Sequence, residues 1–128
     1  MSILNDAMDY LADVTGDLEV QDLTNQASIN MTTGSSYTIN ACYKYGKLVV
    51  FDVSVSRSAA TAAGSNVFAG TLSPAAIRPK TVAPTTTYYG SSGILAQIDN
   101  AGGMAVRVIG AQLSASSTVR VCFTYLIN

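Results

Sequence analysis

The chain contains no histidine, and only 12% of its residues are charged. Without histidine it lacks the commonest general base, the usual catalytic triad and most zinc sites. A typical globular domain has roughly 25% charged residues, so this composition favours an oligomer that hides part of its surface. The 128 residues suffice for one domain with its own two-layer core.

Cysteine, a signal peptide and long apolar runs are also scarce or absent. Cys42 and Cys122 are too few and too far apart to indicate a metal site, and in a reducing cytoplasm they should be free thiols. The N-terminus lacks the basic residues and the unbroken apolar stretch of a secretory signal. No apolar run approaches the roughly 20 residues of a spanning helix. We therefore expect synthesis in the cytoplasm, no cofactor, no metal and no membrane insertion.

The charged residues are unevenly distributed along the chain. Six of the eight acidic residues lie in the first 22 positions, whereas all seven basic residues lie between Lys44 and Arg120. The basic residues occur singly along the predicted strands, with no run that would follow a phosphate backbone. We therefore expect no nucleic-acid partner. The start at Met1 and the acidic segment favour a complete small protein.

Residues 1–16 form the helical part of the prediction. Leu4, Ala7, Leu11 and Val14 recur at alternating spacings of three and four, with aspartates on the other faces. Gly16 is the predicted end of this amphipathic helix. Two heptads are too short for an isolated coiled coil. The helix therefore either begins a trimeric stem or attachment segment, or packs on its own domain.

After Leu18 the period changes to two, which is typical of strands. We predict short linking strands over residues 17–35 and a head domain over residues 36–128. The stretch "SYTINACYKYGKLVVFDVSVSR" predicts a hairpin. On its first strand the predicted faces are Tyr37, Ile39, Ala41 and Tyr43 against Thr38, Asn40 and Cys42. On its second strand they are Val49, Phe51, Val53 and Val55 against Val50, Asp52, Ser54 and Ser56.

About eight short strands follow one another, separated by glycine, serine, proline and asparagine. "TVAPTTTYYG" is predicted as an edge strand with Pro84 at an irregularity, because proline cannot donate to a sheet ladder. "NAGG" predicts a turn between two strands, and "TVRVCFTYLIN" is a final alternating strand. This pattern predicts an all-β, antiparallel, jelly-roll-like β-sandwich.

Few residues are candidates for chemistry. Past residue 22 the only carboxylates are Asp52 and Asp99, the one pair available for glycoside hydrolysis, and we expect both to be solvated or ion-paired instead. The alternation places Cys42 and Cys122 on the polar sides of their strands, close together if those strands are neighbours, but without a base to activate them. The alternative is that both are buried, inert thiols. We therefore do not expect an enzyme.

Tyrosines and hydroxyls are the candidates for ligand binding. Tyr88 and Tyr89 are adjacent, so an extended strand should point one ring into the core and leave the other to stack on a sugar. Thr87 has the hydroxyl nearest to them, and Tyr45, in the hairpin turn, is a second candidate. Further hydroxyls that would assist are Thr85, Thr86, Ser91 and Ser92.

The order of these elements resembles the C-terminal head domains of tailed-bacteriophage receptor-binding and tail-fibre proteins. The matching stretches are Gly46–Val53, "GTLSPAAIRP" at Gly70–Pro79, the turn at Asn100–Gly103, and the last strand at Thr118–Ile127. The connection at Gly70–Pro79 departs from the pattern because Ser73–Ile77 lacks the usual glycine before the arginine.

The resemblance implies a homotrimer at the tip of a phage tail that binds host cell-wall saccharide and contacts other tail proteins. It implies a virion location, in the tail. Three alternatives stay open: a structural baseplate or capsid-decoration protein that binds no glycan, a jelly-roll enzyme acting on glycans, and a cytokine-like trimer.

Overall fold

A computed structural model describes residues 20–128, so the helix predicted for residues 1–16 lies outside the described residues. The described chain forms nine strands and one 3-10 turn, at Ala75–Ile77. The strands are β1 Val20–Asp22, β2 Ser28–Met31, β3 Ser35–Tyr45, β4 Leu48–Arg57, β5 Asn66–Ser73, β6 Ala83–Tyr89, β7 Ser92–Ile98, β8 Gly103–Ile109 and β9 Thr118–Leu126. The prediction of an all-β chain is confirmed for this range.

The strands form two antiparallel sheets. Sheet A has the order β1-β3-β4-β9, and sheet B has the order β2-β5-β8-β7-β6. In sheet B the consecutive strands β6, β7 and β8 are neighbours and β5 returns beside β8, which is the spatial order of a Greek key. Pro84 lies in β6, which is an edge strand as predicted. The irregularity predicted at Pro84 is wrong, because Pro84 lies opposite Gln97 with no shift in register.

One hydrophobic core takes side chains from both sheets. The inner face predicted for β4 and the alternation predicted for β9 are confirmed. Their buried residues are Val49, Phe51, Val53 and Val55 on β4, and Val119, Val121, Phe123 and Tyr125 on β9. The rings of Phe51 and Phe123 stack, with centroids 6.3 Å apart. Each such buried side chain contributes about 1.5–3 kcal/mol, so alternation on these neighbouring strands is a main source of stability.

The faces predicted for β3 are correct only for its first half. The register with β4 shifts between Ile39 and Ala41, where a bulge inserts Asn40. An extra residue exchanges the two faces of the strand beyond it. Cys42 therefore lies opposite Phe51 and is fully buried, whereas the sequence had placed it on the polar side.

Candidate ligand-binding groove

A groove runs between β6, an edge strand of sheet B, and β9, an edge strand of sheet A. The Lys80 N–H donates a 2.8 Å hydrogen bond to the Leu126 carbonyl, where the segment before β6 meets the end of β9. The groove has a volume of about 610 Å³. Its lining residues are Asp52, Thr85, Thr86, Thr87, Tyr88, Tyr89, Thr118, Arg120 and Cys122. We call it the β6–β9 groove.

An ion pair joins β4 and β9 in this groove. Arg120 Nε lies 3.0 Å from Asp52 Oδ1 and 3.1 Å from Oδ2, and a second guanidinium nitrogen donates to Oδ2. Asp52 is directly opposite Cys122, so Arg120 reaches it diagonally across the two strands. The Asp52 side chain is 14% exposed and that of Arg120 is 70% exposed. The carboxylate is thus held in place while most of the guanidinium faces solvent.

The bulge in β3 supplies a third polar group. Asn40 Nδ2 donates to Asp52 Oδ1 at 3.1 Å and to Ser54 Oγ at 2.9 Å. Bulges commonly redirect a side chain in this way. The carboxylate therefore accepts hydrogen bonds from side chains on both neighbouring strands.

These contacts set the charge of the carboxyl group. The hydrogen bonds from Arg120 lower the pKa of Asp52 below its ordinary value, and the Asn40 amide and the Arg120 charge act in the same direction, against a smaller opposing effect of burial. Asp52 is therefore ionised at neutral pH. A charge-assisted pair of this kind presents fixed donors and acceptors suited to hydroxyl-rich ligands.

Both predicted tyrosines line the groove, but neither is in the core. Tyr88 is 81% exposed and Tyr89 is 43% exposed. The prediction that one ring would be buried is wrong, because the two residues end an edge strand just before the turn at Gly90. An aromatic ring left this open is a platform on which a flat apolar surface can stack. Thr87, also predicted, lines the same groove and is half-buried.

The structure separates the other candidates from this group. Tyr45 is 41% exposed and lies opposite Leu48 at the far end of sheet A, outside the groove lining. Ser92 is buried and donates a 3.0 Å hydrogen bond to the Ala111 carbonyl, so its hydroxyl is already engaged. Ser91 is exposed but does not line the groove.

Sequence reasoning missed Arg120, Thr118 and Asn40 as parts of this site. The alternation of β9 does place Arg120 and Thr118 outward, and that signal was available. What the sequence does not show is that β9 pairs with β4, which brings Arg120 to a carboxylate 68 residues earlier in the chain. Asn40 depends in addition on the bulge.

The two carboxylates considered as a hydrolytic pair have separate partners. Asp99 lies in the turn between β7 and β8, where its Oδ1 accepts hydrogen bonds from the N–H groups of Ala101 at 2.9 Å and Gly103 at 2.8 Å. It does not line the groove that contains Asp52. Asp99 therefore stabilises a turn and Asp52 belongs to the ion pair, as expected for Asp52.

The two cysteines lie on opposite faces of sheet A. Cys122 is exposed on the polar side of β9, as predicted, and it lines the groove, whereas Cys42 is buried in the core. Burial raises the pKa of Cys42 to about 11. Their strands, β3 and β9, are separated by β4. The prediction of a polar side is therefore wrong for Cys42, and the condition for the two thiols to lie close together is not met.

Two further observations concern the described residues. Between Val20 and Asn128, no three His, Cys, Asp or Glu side chains group in a way that would hold a metal ion. No helix in this range is long and apolar enough to cross a membrane.

The sequence matches no known family model and no curated protein. Its function must therefore be inferred from its own residues.

Proposed function

We propose that this chain is a phage virion protein of the tail that binds host cell-surface carbohydrate through the β6–β9 groove, as a homotrimer. The observation that carries the proposal is the 81% exposure of the Tyr88 ring in the same groove as the fixed Asp52–Arg120 pair. Saccharides have apolar ring faces that stack on aromatics and hydroxyls that need both donors and acceptors. The groove offers both kinds of contact.

The remaining lining supports the same ligand class. Thr85, Thr86, Thr87 and Thr118 add hydroxyls along both sides, and no lining residue is a large aliphatic one. Exposed Arg120 is also suited to an anionic wall polymer such as a teichoic acid, because a guanidinium binds phosphate through several donors. The resemblance of the sequence to receptor-binding head domains indicates the same biological role.

The homotrimer and the jelly-roll-like sandwich belong to this proposal as well. Three weak sites on one rigid head would act together, so that avidity exceeds the affinity of a single groove. The shared core of sheets A and B and the Greek key in sheet B support the sandwich architecture. The low charge of the chain supports subunit contacts.

The test begins with the full chain and purified cell walls, teichoic acids and wall polysaccharides of candidate hosts. Binding is measured by calorimetry or on a glycan array. Tyr88→Ala should weaken binding about tenfold or more, equivalent to about 1.4 kcal/mol or more, without changing thermal stability. Tyr45→Ala is the matched control, because it removes a partly exposed tyrosine outside the groove.

The outcomes separate the alternatives. Equal losses in both variants would remove the groove from the proposal. Light scattering of the same samples should give about three times the chain mass of 13.3 kDa, and a monomer would contradict the trimer. A trimer that binds none of the host saccharides would instead favour a baseplate or capsid-decoration protein.

A further inference from the structure

One end of the outer face of sheet A carries a continuous apolar row. Val20 lies opposite Tyr45, Tyr45 opposite Leu48, and Leu48 opposite Leu126, so the four residues cross all four strands on the same face. Their exposed fractions are 53%, 41%, 37% and 59%. The next pair inward, Tyr43 opposite Val50, is half-buried and extends the apolar surface. We call these six residues the apolar row.

The rest of this outer face is polar. Beyond the row it carries Asp52, Ser54, Ser56 and Arg120. Singly exposed apolar side chains are ordinary on protein surfaces, whereas a contiguous patch with a polar border indicates a covered surface. The apolar surface is thus concentrated at the end of the sheet where the chain enters β1.

We infer that the row is covered by the chain's own residues 1–19, which pack the apolar side of their predicted helix across sheet A. Glu19 is bonded directly to Val20, the first member of the row, so this segment starts at the surface it would cover. In the helix predicted from the sequence, Leu4, Leu11 and Val14 would share an apolar face of matching character.

The lengths agree with this arrangement. The predicted helix, over residues 1–15, would be about 22 Å long. Four strands place the outer members of the row about 14 Å apart. Residues 16–19 can span at most about 13 Å, enough to turn the chain back over the sheet, and Gly16 allows a tight reversal.

The charges are complementary as well. Residues 1–19 contain five acidic residues and no lysine or arginine. Lys47 and Lys80 are exposed and their backbones bond to the end of β9, whereas Lys44 lies opposite the core residue Val49 and so points to the other face of sheet A. The acidic Asp22 lies opposite Tyr43, on the face of the row. The Lys80 N–H donates to the Leu126 carbonyl at 2.8 Å, and the Lys47 carbonyl accepts from the Ile127 N–H at 2.9 Å. An acidic helix on this surface would have Lys47, in the turn between β3 and β4, and Lys80, in the segment before β6, as basic neighbours.

The inference goes beyond saccharide binding and holds whether or not the groove binds a sugar. It makes the helix a cover for sheet A and excludes it from a threefold stem. The occupant is therefore the same chain, and coverage by a second copy is an outcome of the test.

The natural cysteines supply a probe. Cys122 is exposed on the outer face of sheet A, four residues and about 13 Å along the strand from Leu126, whereas Cys42 is buried. A nitroxide attached to folded, full-length protein should therefore modify Cys122 alone. In a ¹⁵N-labelled sample we expect the amide signals of residues 4–14 to lose most of their intensity, and to recover when the nitroxide is reduced.

Two substitutions that introduce a charge test whether the broadening of residues 4–14 depends on the apolar row. Leu48→Asp should abolish the broadening, while Leu95→Asp should not, because Leu95 is similarly exposed at 41% but lies on β7 of sheet B. If Leu48→Asp fails to fold, Leu11→Asp makes the same test from the helix side without altering the sheets. No broadening in the labelled wild type, or equal broadening in Leu48→Asp and Leu95→Asp, would overturn the inference.

A mixed sample identifies the occupant. Unlabelled chains carrying the nitroxide are combined, through dissociation and reassembly, with ¹⁵N-labelled Cys122→Ser chains that carry none. If residues 4–14 are broadened only when the nitroxide is on the same chain, the row is covered by the chain's own segment. Strong broadening of residues 4–14 in the mixed sample would show that a neighbouring copy covers the row, and it would overturn the inference. Glycan binding is measured separately, so failure here leaves the proposed function to its own test.

Discussion

Asp52 and Arg120 are joined by a two-pronged ion pair across strands β4 and β9, although 68 residues separate them in the chain. Arg120 Nε lies 3.0 Å and 3.1 Å from the two carboxylate oxygens. The pair sits in a groove with two exposed tyrosines. It therefore links the pairing of the sheet with the proposed site and with the response of the protein to acid.

The ion pair should make stability depend on pH in the acid range. The pKa of Asp52 is lowered in the folded state, first by its hydrogen bonds from Arg120. Its stabilisation is therefore present above the unfolded value, about 3.9, and is lost as the pH falls through the lower folded value. We expect the free energy of unfolding, measured in urea, to fall less between pH 7 and pH 3 in Asp52→Asn than in the wild type.

Arg120→Gln is the companion variant, because it removes the main cause of the lowered pKa of Asp52. It should also reduce the change in the free energy of unfolding between pH 7 and pH 3. Without the guanidinium, Asp52 still accepts a hydrogen bond from Asn40. An unchanged pH 7 to pH 3 difference in Asp52→Asn would show that this carboxyl group does not contribute to the acid response.

The thiols should differ in reactivity. In the folded protein a thiol reagent should modify Cys122, which is exposed, and leave Cys42, which is fully buried and whose pKa is raised to about 11. The thiolate is the reacting form, so burial and the raised pKa both protect Cys42. A colorimetric thiol reagent should detect one reactive thiol per chain in the folded protein and two after denaturation. Cys122→Ser should then show no fast reaction, and two fast equivalents in the folded wild type would contradict the burial of Cys42.

Two glycines in turns should tolerate alanine unequally. Both Gly90, with φ of +58°, and Gly102, with φ of +87°, have left-handed backbones. A Cβ at Gly90 meets nothing within 4 Å, whereas one at Gly102 would lie 2.8 Å from the Leu72 carbonyl and collide with the Arg78 side chain. Gly90→Ala should cost about 1 kcal/mol from the backbone alone. Gly102→Ala should cost about 3 kcal/mol because the clash adds to it.

Chemical denaturation of the two alanine variants provides the comparison. Since Arg78 Nε also donates to the Leu72 carbonyl at 2.8 Å, Gly102→Ala should disturb that bond as well. Equal losses in the free energy of unfolding would mean that the turn after β7 adjusts to the added methyl group.

Removing a buried hydroxyl should stabilise the protein. Thr61 is 1% exposed, and its Oγ1 has no hydrogen-bond partner within residues 20–128. Its backbone groups do bond to Leu113, at 2.9 Å each. Thr61→Val keeps the shape and should raise the free energy of unfolding by about 1 kcal/mol. Thr61→Ser is the control and should be destabilising, and a less stable valine variant would show that the hydroxyl is satisfied.

The sequence alone determined the strands and most of the inner faces. Alternation is a local property of an extended chain, so Val49–Val55 on β4 and Val119–Tyr125 on β9 were predictable from spacing. Pro84 likewise indicated an edge strand, because a residue without an N–H cannot serve a central ladder. Thr87, Tyr88 and Tyr89 line one groove because they are adjacent in one strand.

Only the tertiary structure decided which distant strands meet. The pairing of β4 with β9 creates the Asp52–Arg120 pair, the place of β6 beside β9 creates the groove, and the bulge at Asn40 turns Cys42 into the core. These outcomes depend on the packing of two sheets over one core, where many small contacts favour one pairing and one register. No short stretch of sequence determines these contacts. The residue types of the candidate site could therefore be recognised from the sequence, but their proximity could not be predicted.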